Sequence, residues 1–179
     1  MPEADHSRRE VLVAGGAALA AAAAAPLLTG VRDAFAQAGD DESILGAALN
    51  LEVTAATVYQ RSQSQLGGIA RLFRNQERQH ATALAAALRL LGGKPSATID
   101  RNLMGGLAAA SSRRARAQFC INLENTAVRA YEDAHRNLRD ARTMQVVTTI
   151  LGNQAQHLVV LRQIAGRPPV PGAFERGRS

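Results

Sequence analysis

The chain has 179 residues, 46 % of them hydrophobic but only 3 % aromatic, and no tryptophan. That length holds one domain and an appendage, and apolar content carried by Ala and Leu points to helices rather than strands. The single cysteine, Cys120, excludes an internal disulfide, and a formal charge of +6 whose one short arginine cluster, Arg113-Arg114-Arg116, has no interleaved aromatic residue argues against a nucleic-acid partner.

Residues 1–38 are read as a targeting segment. Ser7-Arg8-Arg9-Glu10-Val11-Leu12 carries paired arginines, residues 11–28 are uncharged and rich in Ala and Gly, and Ala34-Phe35-Ala36 and Ala36-Gln37-Ala38 are small-x-small cleavage patterns. The segment resembles a twin-arginine export signal, with Val11 where that pattern prefers Phe. The resemblance implies export to the periplasm, the cell surface or the exterior. The uncharged run of 18 residues is at the short end for a membrane span and contains Pro26, so contact with a membrane is expected only if the segment is retained. Beyond Ala38, 18 Lys and Arg stand against 11 Asp and Glu, a net +7. The arginines are scattered over every expected helix, as on a solvated helical surface.

Four amphipathic stretches follow, within a domain expected at 39–166. The first runs from about Asp41 to Gln65, with Asp40 and Asp41 at its start, and Gly67-Gly68 breaks it. The second runs from about Ile69 to Leu91 and stops at Gly92-Gly93 with Pro95 beyond. The third runs from about Ser112 to Leu138, and the fourth from about Thr143 to Ala165, ending at Gly166. No stretch alternates as a strand does. Short turns join the first to the second and the third to the fourth, whereas residues 92–111 form a segment long enough to run from one end of a bundle to the other. Two hairpins and one long crossover make an all-α, ferritin-like antiparallel four-helix bundle. The tail, 167–179, is expected to be irregular and to lie over the surface.

The chain nearly repeats itself. Residues 50–59 read NLEVTAATVY and residues 122–131 read NLENTAVRAY, agreeing at six of ten positions, including Glu52 with Glu124 and Tyr59 with Tyr131. The helix after the first copy carries Glu77-Arg78-Gln79-His80, and the helix after the second carries Gln154-Ala155-Gln156-His157. A Glu on one helix and a Glu-x-x-His on the next, occurring twice, is how a four-helix bundle builds a two-metal site. Helical spacing sets Glu52 in a stripe with Leu45, Leu49, Ala56 and Tyr59, and Glu124 with Cys120, Ala127, Val128 and Tyr131. Gln154 and His157 align with Ile150 and Leu161. Glu and His in core-facing stripes need partners, and divalent metals supply them. Tyr59 and Tyr131, two turns beyond their glutamates, are read either as hydrogen-bond support for a liganding carboxylate or as ordinary core aromatics.

Over roughly residues 41–166 this set resembles the ferritin-like superfamily of dinuclear iron or manganese carboxylate proteins, and more narrowly the exported ferritin-like and desiccation-associated proteins, in which Leu-Asn-Leu-Glu opens the first core helix. The resemblance implies Glu52 and Glu124 as terminal ligands, Glu77 as a bridge, and His80 and His157 as one imidazole per metal. A second bridging Glu would stand at Gln154, so this chain supplies three carboxylates where four would balance two divalent ions. The cofactor expected is one or two ions of iron or manganese, oxidising ferrous ion or reacting with dioxygen or peroxide. The alternative is a non-catalytic bundle with a stress-protective or surface role and a degenerate site. A storage cage fits a mature chain of about 140 residues poorly, and assembly into smaller homo-oligomers stays open.

Overall fold

The computed structural model describes residues 33–35 and 37–178. The paired arginines and the uncharged run of residues 11–28 lie outside the described residues. The helices are α1 (Asp41–Arg61), α2 (Gln63–Leu66), α3 (Gly68–Leu90), α4 (Arg101–Ala109), α5 (Arg113–Asn137) and α6 (Ala141–Ile164), and no strand occurs among the described residues. No described helix is long and apolar enough to cross a membrane.

The helix starts follow the local chemistry. Asp40 accepts from the Ser43 N–H at 2.8 Å, Ser112 from Ala115 at 3.1 Å and Asp140 from Thr143 at 2.8 Å, each taking up a donor that has no partner inside its helix. Gly67 turns the chain into α3 at φ 62°, where a side chain would be strained.

The four long helices pack as two hairpins, α1 with α3 and α5 with α6. Directions follow from the contacts. Tyr59, late in α1, meets Phe73, early in α3, with ring centroids 5.4 Å apart, so this pair is antiparallel. His135, late in α5, faces Thr148, early in α6, at 3.1 Å, so that pair is antiparallel too. Tyr59 bonds Glu124 and Tyr131 bonds Glu52, which makes α1 and α5 antiparallel neighbours. It follows that α3 and α5 run the same way, and the connection between them must travel the length of the bundle.

That connection runs along α1. The Thr98 N–H donates to Asn50 Oδ1 at 2.8 Å, the Asp100 N–H donates to Thr54 Oγ1 at 3.1 Å, and Arg113 reaches the Gln65 carbonyl at 3.1 Å. It contains a helix outside the four stretches read in the sequence, because residues 101–109 form α4. Two adjacent glycines mask this helix in the sequence. Burial of Leu107 and Ala110 against the bundle supplies what propensity does not.

A second difference lies in α1, which ends at Arg61 instead of continuing to Gln65. The Ser62 hydroxyl turns back to the Val58 carbonyl at 2.7 Å, and the buried Arg116 guanidinium takes the freed Arg61 carbonyl at 3.0 Å and Ser62 Oγ at 3.3 Å. The break is thereby compensated from α5.

The tail is irregular and pinned. Arg162 pairs with Glu175 at 2.6 Å, and Arg176 with Glu132 at 3.1 Å. At the other end Phe35 is buried, its ring edge-on to Tyr131 at 6.2 Å between centroids. Leu45, Leu84, Leu158 and Leu161 are fully buried, each contributing roughly 1.5–3 kcal/mol by leaving water. Within this apolar core Glu52, Glu77, Glu124, Gln154 and His157 are also buried.

Candidate metal centre

Six side chains from four helices meet at the centre of the bundle. α1 brings Glu52, α3 brings Glu77 and His80, α5 brings Glu124, and α6 brings Gln154 and His157. They form two triads, Glu52–Glu77–His80 and Glu77–Glu124–His157, each with its ligand atoms within 4.8 Å of one another. Glu77 belongs to both. Its Oε2 lies 3.0 Å from His80 Nδ1, and its Oε1 lies 3.0 Å from His157 Nδ1. The first triad is completed by His80 Nδ1 to Glu52 Oε2 at 3.1 Å, the second by His157 Nδ1 to Glu124 Oε1 at 3.3 Å. The two imidazole centroids are 6.4 Å apart, so both histidines serve one centre.

The tyrosines connect the two copies of the repeat crosswise. Tyr59 donates to Glu124 Oε1 and Tyr131 donates to Glu52 Oε1, both through short hydrogen bonds. Gln154 Nε2 donates to Glu52 Oε1 at 3.1 Å and Oε2 at 3.4 Å, and to Glu77 Oε2 at 3.3 Å. Cys120, a turn before Glu124, is buried beside the site as a free thiol, and burial pushes its pKa well up, so it remains protonated. His135 lies outside the site at the surface, against Thr148.

Two contributors were not singled out in the sequence. Phe73 stacks on the His157 ring with centroids 3.9 Å apart and 24° between planes, and Gln76 Oε1 lies 2.9 Å from His157 Nε2. Phe73 stands one turn before Glu77 on the same face of α3, a spacing that could have marked it. Gln76 carried no such signal, because its role depends on where α6 lies.

The electrostatics follow from burial and crowding. Burial lifts the pKa of Glu52 well above the ordinary carboxylate range, and the neighbouring Glu77 charge adds to the shift. Glu124 is raised for the same two reasons. Burial opposes the charge on Glu77 as well, but hydrogen bonds from Glu52 and His80 and the positive charge of nearby His157 outweigh it and hold this carboxyl below its usual range. Burial disfavours protonated imidazoles, yet the facing carboxylates push both His80 and His157 up to about 10. The cluster is therefore held together by protons that a cation of the same total charge can replace.

Several observations show that the residues fit a metal. Glu77 Oε1 is buried and accepts no hydrogen bond, because the nearby His157 Nδ1 lies out of line with it. Both imidazoles turn Nδ1 inward, and carboxylate oxygens with imidazole nitrogens are the donor set of first-row divalent metals. Access is from the α3–α6 side. There a cleft of about 720 Å³, lined by Gln76, Gln79, Gln145, Asn153 and Gln156, reaches His80. The His80 side chain is 13 % exposed, whereas Glu52, Glu77, Glu124 and His157 are at most 1 %.

Two antiparallel hairpins, a lengthwise crossover and paired carboxylate–histidine triads facing a shared core define a helical-bundle protein of the ferritin-like class. The ferritin-like domain family matches residues 40–167, and the chain belongs to that family. Comparison with curated proteins gave no match, and comparison with solved structures gave none either.

Proposed function

We propose that this is an exported ferritin-like protein that binds iron or manganese in its bundle core. Glu52, Glu77, His80, Glu124 and His157 are the ligands, and Tyr59 and Tyr131 orient two of the carboxylates. The observation that carries the reading is the sharing of Glu77 between two triads, with each oxygen facing a different imidazole. A metal held there supplies redox chemistry toward ferrous ion as substrate, or toward dioxygen or peroxide. The protein's part is to orient the ligands. Tyr131 and Tyr59 fix Glu52 and Glu124, Gln76 holds the outer nitrogen of His157, and Phe73 holds its ring plane. Buried Leu and Ala side chains exclude water around the centre, and the cleft at His80 admits small solutes.

Export rests on the twin-arginine pattern Ser7-Arg8-Arg9-Glu10-Val11-Leu12, the uncharged run after it and the small-x-small sites before Gly39. The proposed layout is a signal over 1–38, a bundle over 39–166 and a tail over 167–179.

A second reading, a non-catalytic bundle with a stress-protective or surface role, is favoured by Gln154, whose amide satisfies Glu52 and Glu77 by hydrogen bonds. Metal analysis of the purified protein after anaerobic loading with Fe²⁺ and aerobic loading with Mn²⁺ separates the two. Stoichiometric metal supports the first, and its absence from both preparations leaves the second.

A further inference from the structure

Resting on the metal-binding reading, we propose that the centre is asymmetric. The half formed by Glu77, Glu124 and His157 takes a single divalent cation, and Gln154 closes the half formed by Glu52, Glu77 and His80.

Gln154 fills the first half as a cation would. Its –NH₂ group faces three carboxylate oxygens, Glu52 Oε1 at 3.1 Å, Glu52 Oε2 at 3.4 Å and Glu77 Oε2 at 3.3 Å. Turning the amide over would bring Oε1 against those same oxygens, acceptor to acceptor, so the orientation is fixed by chemistry. Two N–H dipoles thus satisfy the carboxylates from the space between them without bringing a charge. The Gln154 Oε1 left on the other side is buried with no partner, a cost borne to keep the donor facing inward.

The second half has no such donor. Glu77 Oε1 is buried, accepts no hydrogen bond, and faces this half. His157 is also the better prepared of the two imidazoles. Its Nε2 donates to Gln76 Oε1 at 2.9 Å, which keeps the proton on that nitrogen and leaves Nδ1 for the cation, and Phe73 holds its plane. No described protein group holds Nε2 of His80, which opens onto the cleft. Charge points the same way. Three carboxylates more than balance one divalent cation and fall short of two, and the fourth is the one Gln154 replaces.

The test counts ions. Equilibrium dialysis of the protein against Mn²⁺, followed by metal analysis, gives one ion per chain at saturation for wild type. Gln76→Leu weakens its binding by roughly tenfold through loss of the His157 anchor, and Gln154→Glu raises the count to two. Two ions in wild type overturn the asymmetry alone, and so does a count that stays at one in Gln154→Glu. No ion in either wild type or Gln154→Glu overturns the metal-binding reading and the asymmetry with it. His157→Ala loses the ion if it folds, which circular dichroism reports. If it does not fold, the counts for wild type and Gln154→Glu decide.

Discussion

The hydroxyl of Tyr59 on α1 donates to Oε1 of Glu124 on α5, so the first copy of the repeat holds the carboxylate of the second. Tyr131 returns the bond to Glu52. This reciprocity ties the two hairpins together at the depth where charge is buried, and it exists only because α1 and α5 run antiparallel.

Tyr59→Phe and Tyr131→Phe therefore each remove one donor from a fully buried carboxylate. Leaving a buried acceptor without its partner costs about 1–3 kcal/mol, so each variant is expected to lose that much stability in chemical denaturation. The double variant should depart from the simple sum, because both carboxylates share Glu77 in one buried network. A change below about 0.5 kcal/mol in either single variant would mean that the bond does not contribute in solution.

The raised histidines set a pH dependence for the metal-free protein. His80 and His157 have folded-state values near 10 against an ordinary 6.5, so their contribution is complete below pH 6.5 and is lost as pH rises toward 10. Glu52 and Glu124, raised by burial and by the Glu77 charge, lose stability in the same direction as they ionise above 4.5. Glu77 is lowered, so its contribution is present above 4.5 and is lost on acidification. Thermal melts of chelator-treated protein should peak between about pH 4.5 and 6.5 and fall toward pH 10. Metal affinity should move oppositely, rising with pH as the cation displaces imidazole protons. A flat melting profile from pH 6.5 to 10 would contradict the coupling.

Glu77→Gln replaces the carboxylate common to both triads at constant shape. Wild type at a metal concentration of 100 Kd gains about 2.7 kcal/mol, a rise of roughly 5–10 °C for a chain this size. The variant should show no metal-induced rise in scanning calorimetry. A rise equal to wild type would exclude Glu77 as a ligand.

Phe35 lies inside the segment read as a signal, yet its ring is buried against Tyr131. A chain starting at Gly39 should be less stable than one starting at Asp33, by up to the ~3–5 kcal/mol typical of losing a buried Phe. Denaturant melts of the two chains measure the difference. Equal midpoints would show that the bundle is complete without Phe35 and that processing after Ala38 costs nothing.

Much of the fold could be read from residues alone. Asp40, Ser112 and the glycines at 67, 92 and 166 bracket the long helices because caps and left-handed turns are local chemistry. The stripes through Glu52, Glu124 and Gln154 pointed inward because 3.6-residue spacing fixes a face, and all six candidate side chains converge. What escaped depends on the relation between helices. Which tyrosine meets which glutamate requires the direction of α5. The reach of Gln76 to His157 requires the position of α6. The break after Arg61 requires Arg116, 55 residues away, to take the carbonyl. The helix at residues 101–109 was hidden by Gly105 and Gly106, since its burial against the bundle leaves no trace in local propensity.

The most direct test of a metal in the core is an anomalous-difference map from crystals grown with Mn²⁺. The account predicts a peak in contact with Glu77, Glu124 and His157. A map with no peak inside the bundle, and Gln154 still bonded to Glu52, would contradict it.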